Sequence, residues 1–102
     1  MILAAIALML LTPVTAPAQQ NSSGRVAKIL KTGDGKSAET AYVVKSVAEE
    51  YMVIRELGLQ PEMQSLIMKD NKPYDLMTVV DPKTGNKVEI WFDISSFFGK
   101  DF

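Results

Sequence analysis

Cysteine and histidine are both absent from the 102-residue sequence. Without cysteine, the chain can form no disulfide bond, carry no lipid on a thiol and offer no thiolate nucleophile. Without either residue type, a transition-metal site lacks its usual imidazole and thiolate ligands, so we expect neither a metal nor another cofactor. The fold must therefore depend on its hydrophobic core, and 47% of the residues are hydrophobic.

The sequence also lacks an excess of either charge, because 11 basic and 12 acidic side chains leave a net charge of -1. Binding to nucleic acid usually requires a basic patch, and binding to anionic lipid usually requires a polybasic segment. Neither pattern occurs in the sequence, so we expect no nucleic-acid partner.

The first residues have the pattern of a secretory signal peptide. An apolar run extends from Ile2 to Leu11, and small residues follow it up to "APA" at Ala16–Ala18. This pattern predicts cleavage after Ala18 and a periplasmic or secreted protein. The run is about half as long as a bilayer-spanning helix, so we expect no permanent membrane anchor. The predicted organisation is a signal peptide at 1–18, a flexible or loosely docked segment at 19–31 and one α+β domain at 32–102.

A strand followed by a helix is predicted at the start of this domain. The β-branched and aromatic residues of Thr40–Lys45 are typical of a strand. Ser46 and Glu49 have the spacing of a capping box, and Gly58 suits the left-handed position after a helix. These signals predict a helix from Val47 to about Leu57. We expect Val47, Tyr51 and Ile54 to form its buried stripe, with the glutamates largely elsewhere.

A three-stranded antiparallel meander is predicted after the helix. Its strands are Met63–Lys69, Tyr74–Val80 and Lys87–Asp93. In "DPKTGN", Pro82 and Gly85 favour a four-residue loop that pairs Asp81 with Asn86. This register places five apolar residues on one face, which the single helix would cover: Met77, Val79, Val88, Ile90 and Phe92. The first strand is expected at an edge of the sheet.

Few residues could support catalysis. "GDGKS" at 33–37 resembles the end of a phosphate-binding P-loop, but Leu30 stands where that motif needs glycine. Asp75 and Asp93 could be imagined as a glycosidase-like pair, but the predicted register points them to opposite faces of the sheet. We therefore expect no enzymatic activity. Asp93 is expected to cap the final turn, and Asp75 needs a donor such as Tyr51 or a backbone amide.

Three aromatic residues and one glutamine of the predicted meander and the turn after it have two interpretations. Gln64, Tyr74, Trp91 and Phe97 could form an exposed patch for a partner, on the sheet face away from the helix. Alternatively, they could form a second small core with the N-terminal segment.

Several short stretches together resemble an uncharacterised family of small bacterial proteins. They are "GDGKSAETAYVV", "EEY", "YD", "WFDIS" and "FFG", and they lie between residues 32 and 99. The matching positions are Glu50, Tyr51, Gln64, Tyr74, Asp75, Phe92, Asp93 and Gly99. Many members resemble exported proteins, and the resemblance implies no assigned activity.

Three functional hypotheses follow. The first is a periplasmic, non-enzymatic module that binds a protein partner, for example as an inhibitor or immunity factor. The second is a binder of a small ligand or envelope glycan that uses Trp91 and Tyr74 as stacking platforms. The third, and least favoured, is a hydrolase that uses Asp75 and Asp93. The residues expected to contribute to binding are Tyr51, Gln64, Tyr74, Asp75, Trp91 and Asp93.

Overall fold

The computed structural model describes residues 24–100, so the predicted signal peptide lies outside the described residues. The fold is α+β, as predicted. Its elements are α1 (helical at residues 24–30), β1 (Tyr42–Val43), α2 (Val47–Glu56), β2 (Gln60–Lys69), β3 (Lys72–Val80) and β4 (Lys87–Asp93). In the part of the chain from 24 to 100, neither helix has the length and apolar character needed to cross a membrane.

The sheet contains four strands in the order β1-β4-β3-β2. Strands β2, β3 and β4 form the predicted antiparallel meander. Strand β1 lies at an edge, as expected, but it pairs in parallel with β4, so that Tyr42 lies beside Phe92. The predicted architecture is therefore incomplete, because the sheet is mixed and α1 is a second helix. A two-residue strand carries too short a pattern to show its direction of pairing.

The register of the β3–β4 hairpin is the predicted one. The amide of Asp81 donates to the carbonyl of Asn86 at 2.9 Å, and the Asp81 carboxylate accepts the amide of Lys83 at 2.9 Å. Gly85 has a φ of +78°, which glycine adopts without a steric penalty. From this turn the pairing continues without interruption to Tyr74 and Asp93. The loop chemistry thus sets which side chains share each face of the sheet.

Helix α2 begins and ends close to the predicted positions. The Ser46 side chain caps it by accepting the amide of Glu49 at 3.2 Å. The Glu49 carboxylate accepts the amide of Lys45 at 2.8 Å, and not the amide of Ser46 that a full capping box would use. Leu57 is the C-cap residue, and Gly58 has a φ of +75°.

The predicted buried stripe of α2 is right for Ile54 and wrong for its other two members. Val47 and Tyr51 are exposed, whereas Glu50 is buried together with Ile54. The helix is turned so that Glu50, Val53 and Ile54 face the core. Their spacing of i, i+3 and i+4 places them on one side of a helix.

Val88 is a second correction, because it is exposed although its partner Val79 is fully buried. The pairing of β1 reaches only Phe92 and Asp93, so the first half of β4 has no neighbouring strand on that side.

Hydrophobic clusters pack on both faces of the sheet. The main core joins the helices to one face and contains Ile29, Tyr42, Val44, Val53, Ile54, Met77, Val79, Ile90, Phe92 and Ile94. A smaller cluster on the other face consists of Ala38, Ala41 and Tyr74, with Ile67 and Trp91 packed against it. The loop at residues 33–41 supplies the two alanines and covers this second face.

The loop that contains "GDGKS" folds against the sheet and precedes a strand, as a plain turn would. The Asp34 carboxylate accepts hydrogen bonds from Thr40 Oγ1 at 2.6 Å and from the amide of Lys36 at 2.9 Å. These bonds, that of Thr40 first, lower the pKa of Asp34. Gly35 has a φ of +71°, and its carbonyl accepts the amide of Trp91 at 2.8 Å. The loop therefore completes the sheet beside β4.

We expect Gly35→Ala to lower the free energy of unfolding by about 1–3 kcal/mol. A Cβ atom on Gly35 would lie 2.5 Å from Tyr42 Cε2 and 3.1 Å from Ile90 Cγ2, so both neighbours must move. Gly85→Ala is the matched control, because Gly85 also has a positive φ but no atom within 4 Å of its added Cβ. Urea denaturation of the two variants separates the steric cost from the backbone cost. Equal losses would contradict the close packing of Gly35.

Candidate functional site

Glu50 is the most unusual residue of the core. It is 0% exposed on the inner side of α2, and no group of the described residues donates a hydrogen bond to either of its carboxyl oxygens. Burial in the first place, together with the neighbouring Asp75 carboxyl group, raises the pKa of Glu50 to about 9. Glu50 is therefore neutral at pH 7.

Asp75 lies on β3, on the same side of the strand as Met77 and Val79, and is also buried. Its carboxylate accepts a hydrogen bond from Gln64 Nε2 of β2 at 2.8 Å. The expected need for a donor is thus met by Gln64, and Tyr51 does not take this role. We refer to Glu50, Gln64 and Asp75 as the carboxyl cluster.

A small pocket of about 210 Å³ opens beside the carboxyl cluster, between α2 and β2. It is lined by Tyr51, Pro61, Glu62, Met63, Gln64 and Met77. Gln64 both lines this α2–β2 pocket and donates to Asp75, so it stands between the pocket and the two acids. The lining is partly apolar, and Gln64 is its link to Glu50 and Asp75, which do not themselves line the pocket.

Asp93 lies on the opposite face of the sheet from Asp75. In the register, Asp75 is beside Phe92 and Asp93 is beside Tyr74, and successive side chains of a strand point to opposite faces. The two acids therefore do not form a pair, in agreement with the register-based prediction.

The carboxylate of Asp93 organises the end of the chain. It accepts hydrogen bonds from the amide of Ser95 at 2.9 Å and from Ser95 Oγ at 2.6 Å, and Lys72 Nζ lies 3.0 Å away. Burial acts to raise the pKa of Asp93, but these contacts with Ser95 and Lys72 outweigh it and lower the pKa. Asp93 thus caps the turn that follows β4.

The predicted aromatic residues do not form one exposed patch. Tyr74 is buried, and its ring meets that of Trp91 edge-on, with 5.7 Å between the ring centroids. Gln64 lies on the other face of the sheet, and Phe97 packs against the main core. The alternative of a second small core describes this region better. The loop at 33–41 builds that core, where the N-terminal segment had been expected to do so.

Strand β2 presents an exposed apolar edge that sequence reasoning did not identify. It is the last strand in the sheet order, and its outer edge has no strand partner within residues 24–100. Three large apolar side chains of β2 are more than half exposed: Met63 at 58%, Leu66 at 52% and Met68 at 56%. We refer to these three residues and the unpaired backbone of β2 as the β2 edge.

The three members of the carboxyl cluster are also among the positions that carry the sequence resemblance. They are distant from one another in the sequence. The role of Glu50 was missed because a charged residue was assigned to the solvent side of α2. The sequence signal that could have placed Glu50 on the buried side is its i, i+3, i+4 spacing with Val53 and Ile54.

Comparison with known proteins identifies one family. The domain of unknown function DUF4919 matches residues 15–101. No curated protein and no solved structure matches the chain.

Proposed function

This chain belongs to the family DUF4919, whose description assigns no activity, and we propose that it is an exported, non-enzymatic module that binds a protein partner. The partner contributes an extended segment that adds to the sheet along the β2 edge. The observation that carries this proposal is the long, unpaired and apolar edge of β2.

Edge strands in soluble proteins are usually protected by short length, charged residues, proline or a bulge. Strand β2 has ten residues, and its irregular pairing is confined to Pro61–Met63 at one end. Lys69 lies at the other end of the strand. Between these ends, residues 64–68 pair regularly with β3 on one side, and within residues 24–100 no strand pairs with them on the other side. Such an edge provides backbone hydrogen bonds for an added strand.

The exposed side chains indicate what the added segment contains. In the β2–β3 register, Leu66 lies beside Asp75 and Met68 beside Pro73, so both point to the helix side of the sheet. Met63 points to the other side, because it lies beside Thr78. A segment with apolar residues at alternating positions would cover Leu66 and Met68, as is usual where main-chain bonds give affinity and side chains give specificity.

Export remains part of the proposal and rests on the apolar run and "APA" at residues 2–18. The mass of the protein recovered from the periplasm or medium tests it, because cleavage after Ala18 leaves a chain that begins at Gln19. An inhibitor or immunity role is an analogy with other small exported proteins.

The two alternative functions have less support. The rings of Tyr74 and Trp91 pack edge-on in the small second core, which reduces the surface for stacking on a sugar. The register directs Asp75 and Asp93 to opposite faces of the sheet, which counts against a shared role at one glycosidic bond.

We expect the double variant Leu66→Glu/Met68→Glu to bind selected peptides at least about tenfold more weakly than the wild type, which corresponds to about 1.4 kcal/mol. Peptides are selected from a display library on the wild-type protein, and affinities are measured by calorimetry. Two new carboxylates would be desolvated under the added strand. Val88→Glu is the matched control, since Val88 is also exposed but lies on β4.

A second arm tests the mode of binding. A selected peptide is made in two series, each with N-methyl groups on one of the two sets of alternating residues. Each series loses the hydrogen-bond donors of one edge of the peptide. We expect the series that lacks donors on the edge facing β2 not to bind. Equal affinity of the double variant and the wild type, or unchanged binding of both N-methylated series, would contradict the proposal. If sedimentation experiments show self-association through Leu66 and Met68, the segment that pairs with the β2 edge belongs to a second copy of this chain and not to a distinct partner.

A further inference from the structure

The carboxyl cluster brings two buried carboxyl groups together, and no cation of the described residues pairs with either of them. The described residues form four ion pairs, Arg25–Glu49, Lys69–Glu39, Lys72–Asp93 and Lys87–Glu62, and none involves Glu50 or Asp75. Among the described residues, the side-chain hydrogen bond to Asp75 comes from the neutral amide of Gln64. A cation placed beside two buried carboxyl groups would favour their ionised form, which burial alone disfavours.

Acceptor groups also remain unused at the cluster. No described group donates to the carboxyl oxygens of Glu50, which is fully buried and directed at Asp75. The Gln64 side chain uses its amide nitrogen on Asp75, which leaves its amide oxygen as an acceptor. The cluster therefore offers acceptor atoms on three side chains.

We propose that the carboxyl cluster binds a primary ammonium group that enters through the α2–β2 pocket. An ammonium group has three donors and no acceptor, which matches the three acceptor side chains of Glu50, Gln64 and Asp75. Gln64 must turn away from Asp75 as the ammonium group arrives, and it lies on an exposed strand where it can do so. This proposal does not depend on strand addition at the β2 edge.

The shape of the pocket suits an alkyl chain behind the ammonium group. Pro61, Met63 and Met77 supply apolar contacts along a space of about 210 Å³, and the Tyr51 ring lies at its wall. Glu62 adds a carboxylate to the lining, partly neutralised by Lys87 at 3.1 Å. A calcium ion would instead require about six to eight oxygen ligands, and two carboxyl groups with one amide do not provide them.

An alkylammonium group can come from a free amine or from the lysine side chain of a bound polypeptide. Two pairs of probes distinguish these sources. The first pair is n-butylammonium and the neutral n-butanol. The second pair is lysine with both its amino and carboxyl ends blocked as amides, and the equivalent norleucine compound.

The test is an NMR titration of the amide signals of the wild-type protein at pH 7. We expect saturable shifts at Gln64, Asp75 and Met77 with at least one cationic probe, and no saturation with its neutral counterpart. Tighter binding of blocked lysine points to a polypeptide source, and tighter binding of n-butylammonium points to a free amine. Shifts that do not distinguish charged from neutral probes overturn the proposal.

Variants locate the site. Asp75→Asn should weaken binding of the cationic probe at least about tenfold, whereas Glu89→Gln, which changes an exposed carboxylate on the other face, should leave it unchanged. Should Asp75→Asn fail to fold, Gln64→Met removes an acceptor from an exposed position and should weaken binding several-fold. Wild-type affinity in whichever of these two variants folds overturns the proposal.

Discussion

Phe92→Ala is expected to lower the free energy of unfolding by about 3–5 kcal/mol, the largest loss for a single truncation in this core. Phe92 is 0% exposed at the centre of the sheet, with Asp75 beside it on β3 and Tyr42 beside it on β1. Its ring packs against that of Tyr42 with 6.0 Å between centroids. Because small domains have a total stability of about 5–15 kcal/mol, this variant should be marginally stable or unfolded at 37 °C.

Urea denaturation followed by far-ultraviolet circular dichroism measures this loss. Phe98→Ala is the matched control, because it removes the same side chain from an exposed position. We expect it to change the free energy of unfolding by about 0.5 kcal/mol or less. Similar losses in the two variants would mean that Phe92 does not occupy the centre of the core.

The second large effect is a fall in stability as the pH rises. The pKa of Glu50 is about 9 in the folded protein, whereas an exposed glutamate has a pKa of 4.5. Below pH 4.5 the carboxyl group is protonated in both states, so it contributes no pH dependence. Between pH 4.5 and about 9 the unfolded chain loses this proton while the folded chain keeps it, which favours unfolding. The loss is about 1.4 kcal/mol per pH unit for one proton.

Glu50→Gln tests the origin of this pH dependence. Glutamine has nearly the same shape and stays neutral at every pH, so the variant should show a flatter stability curve from pH 5 to pH 9. At pH 8 it should be more stable than the wild type by several kcal/mol. Glu89→Gln is the control, because Glu89 is exposed. Parallel curves for the wild type and Glu50→Gln would show that Glu50 is ionised in the folded protein at neutral pH.

Local sequence chemistry was sufficient to predict much of the fold. The loop from Pro82 to Gly85 determines the β3–β4 pairing, and every residue pair expected from it is present. Ser46 and Gly58 mark the two ends of α2 in the same way. Asp70 and Asn71 make a tight turn with positive φ values of 53° and 63°, which suits these residue types.

The carboxyl cluster could not be predicted in this way, because its chemistry depends on contacts between distant elements. A glutamate on α2 is expected to face water unless a partner makes its neutral form favourable. Asp75 and Gln64 are that partner group, and only the β2–β3 pairing and the packing of α2 bring them to Glu50. The rotation of α2, and with it the exposure of Tyr51, follows from this contact.

The parallel pairing of β1 with β4 has a consequence for how the chain acquires its structure. Val44 donates its amide to the carbonyl of Asp93 at 3.3 Å. Its own carbonyl accepts a hydrogen bond from Ser96 Oγ at 3.0 Å, across 52 positions. The segment around β1 therefore has no neighbour in the sheet until the last strand has left the ribosome. Contacts of such long range form slowly, so the sheet remains incomplete until β4 is available to pair with β1.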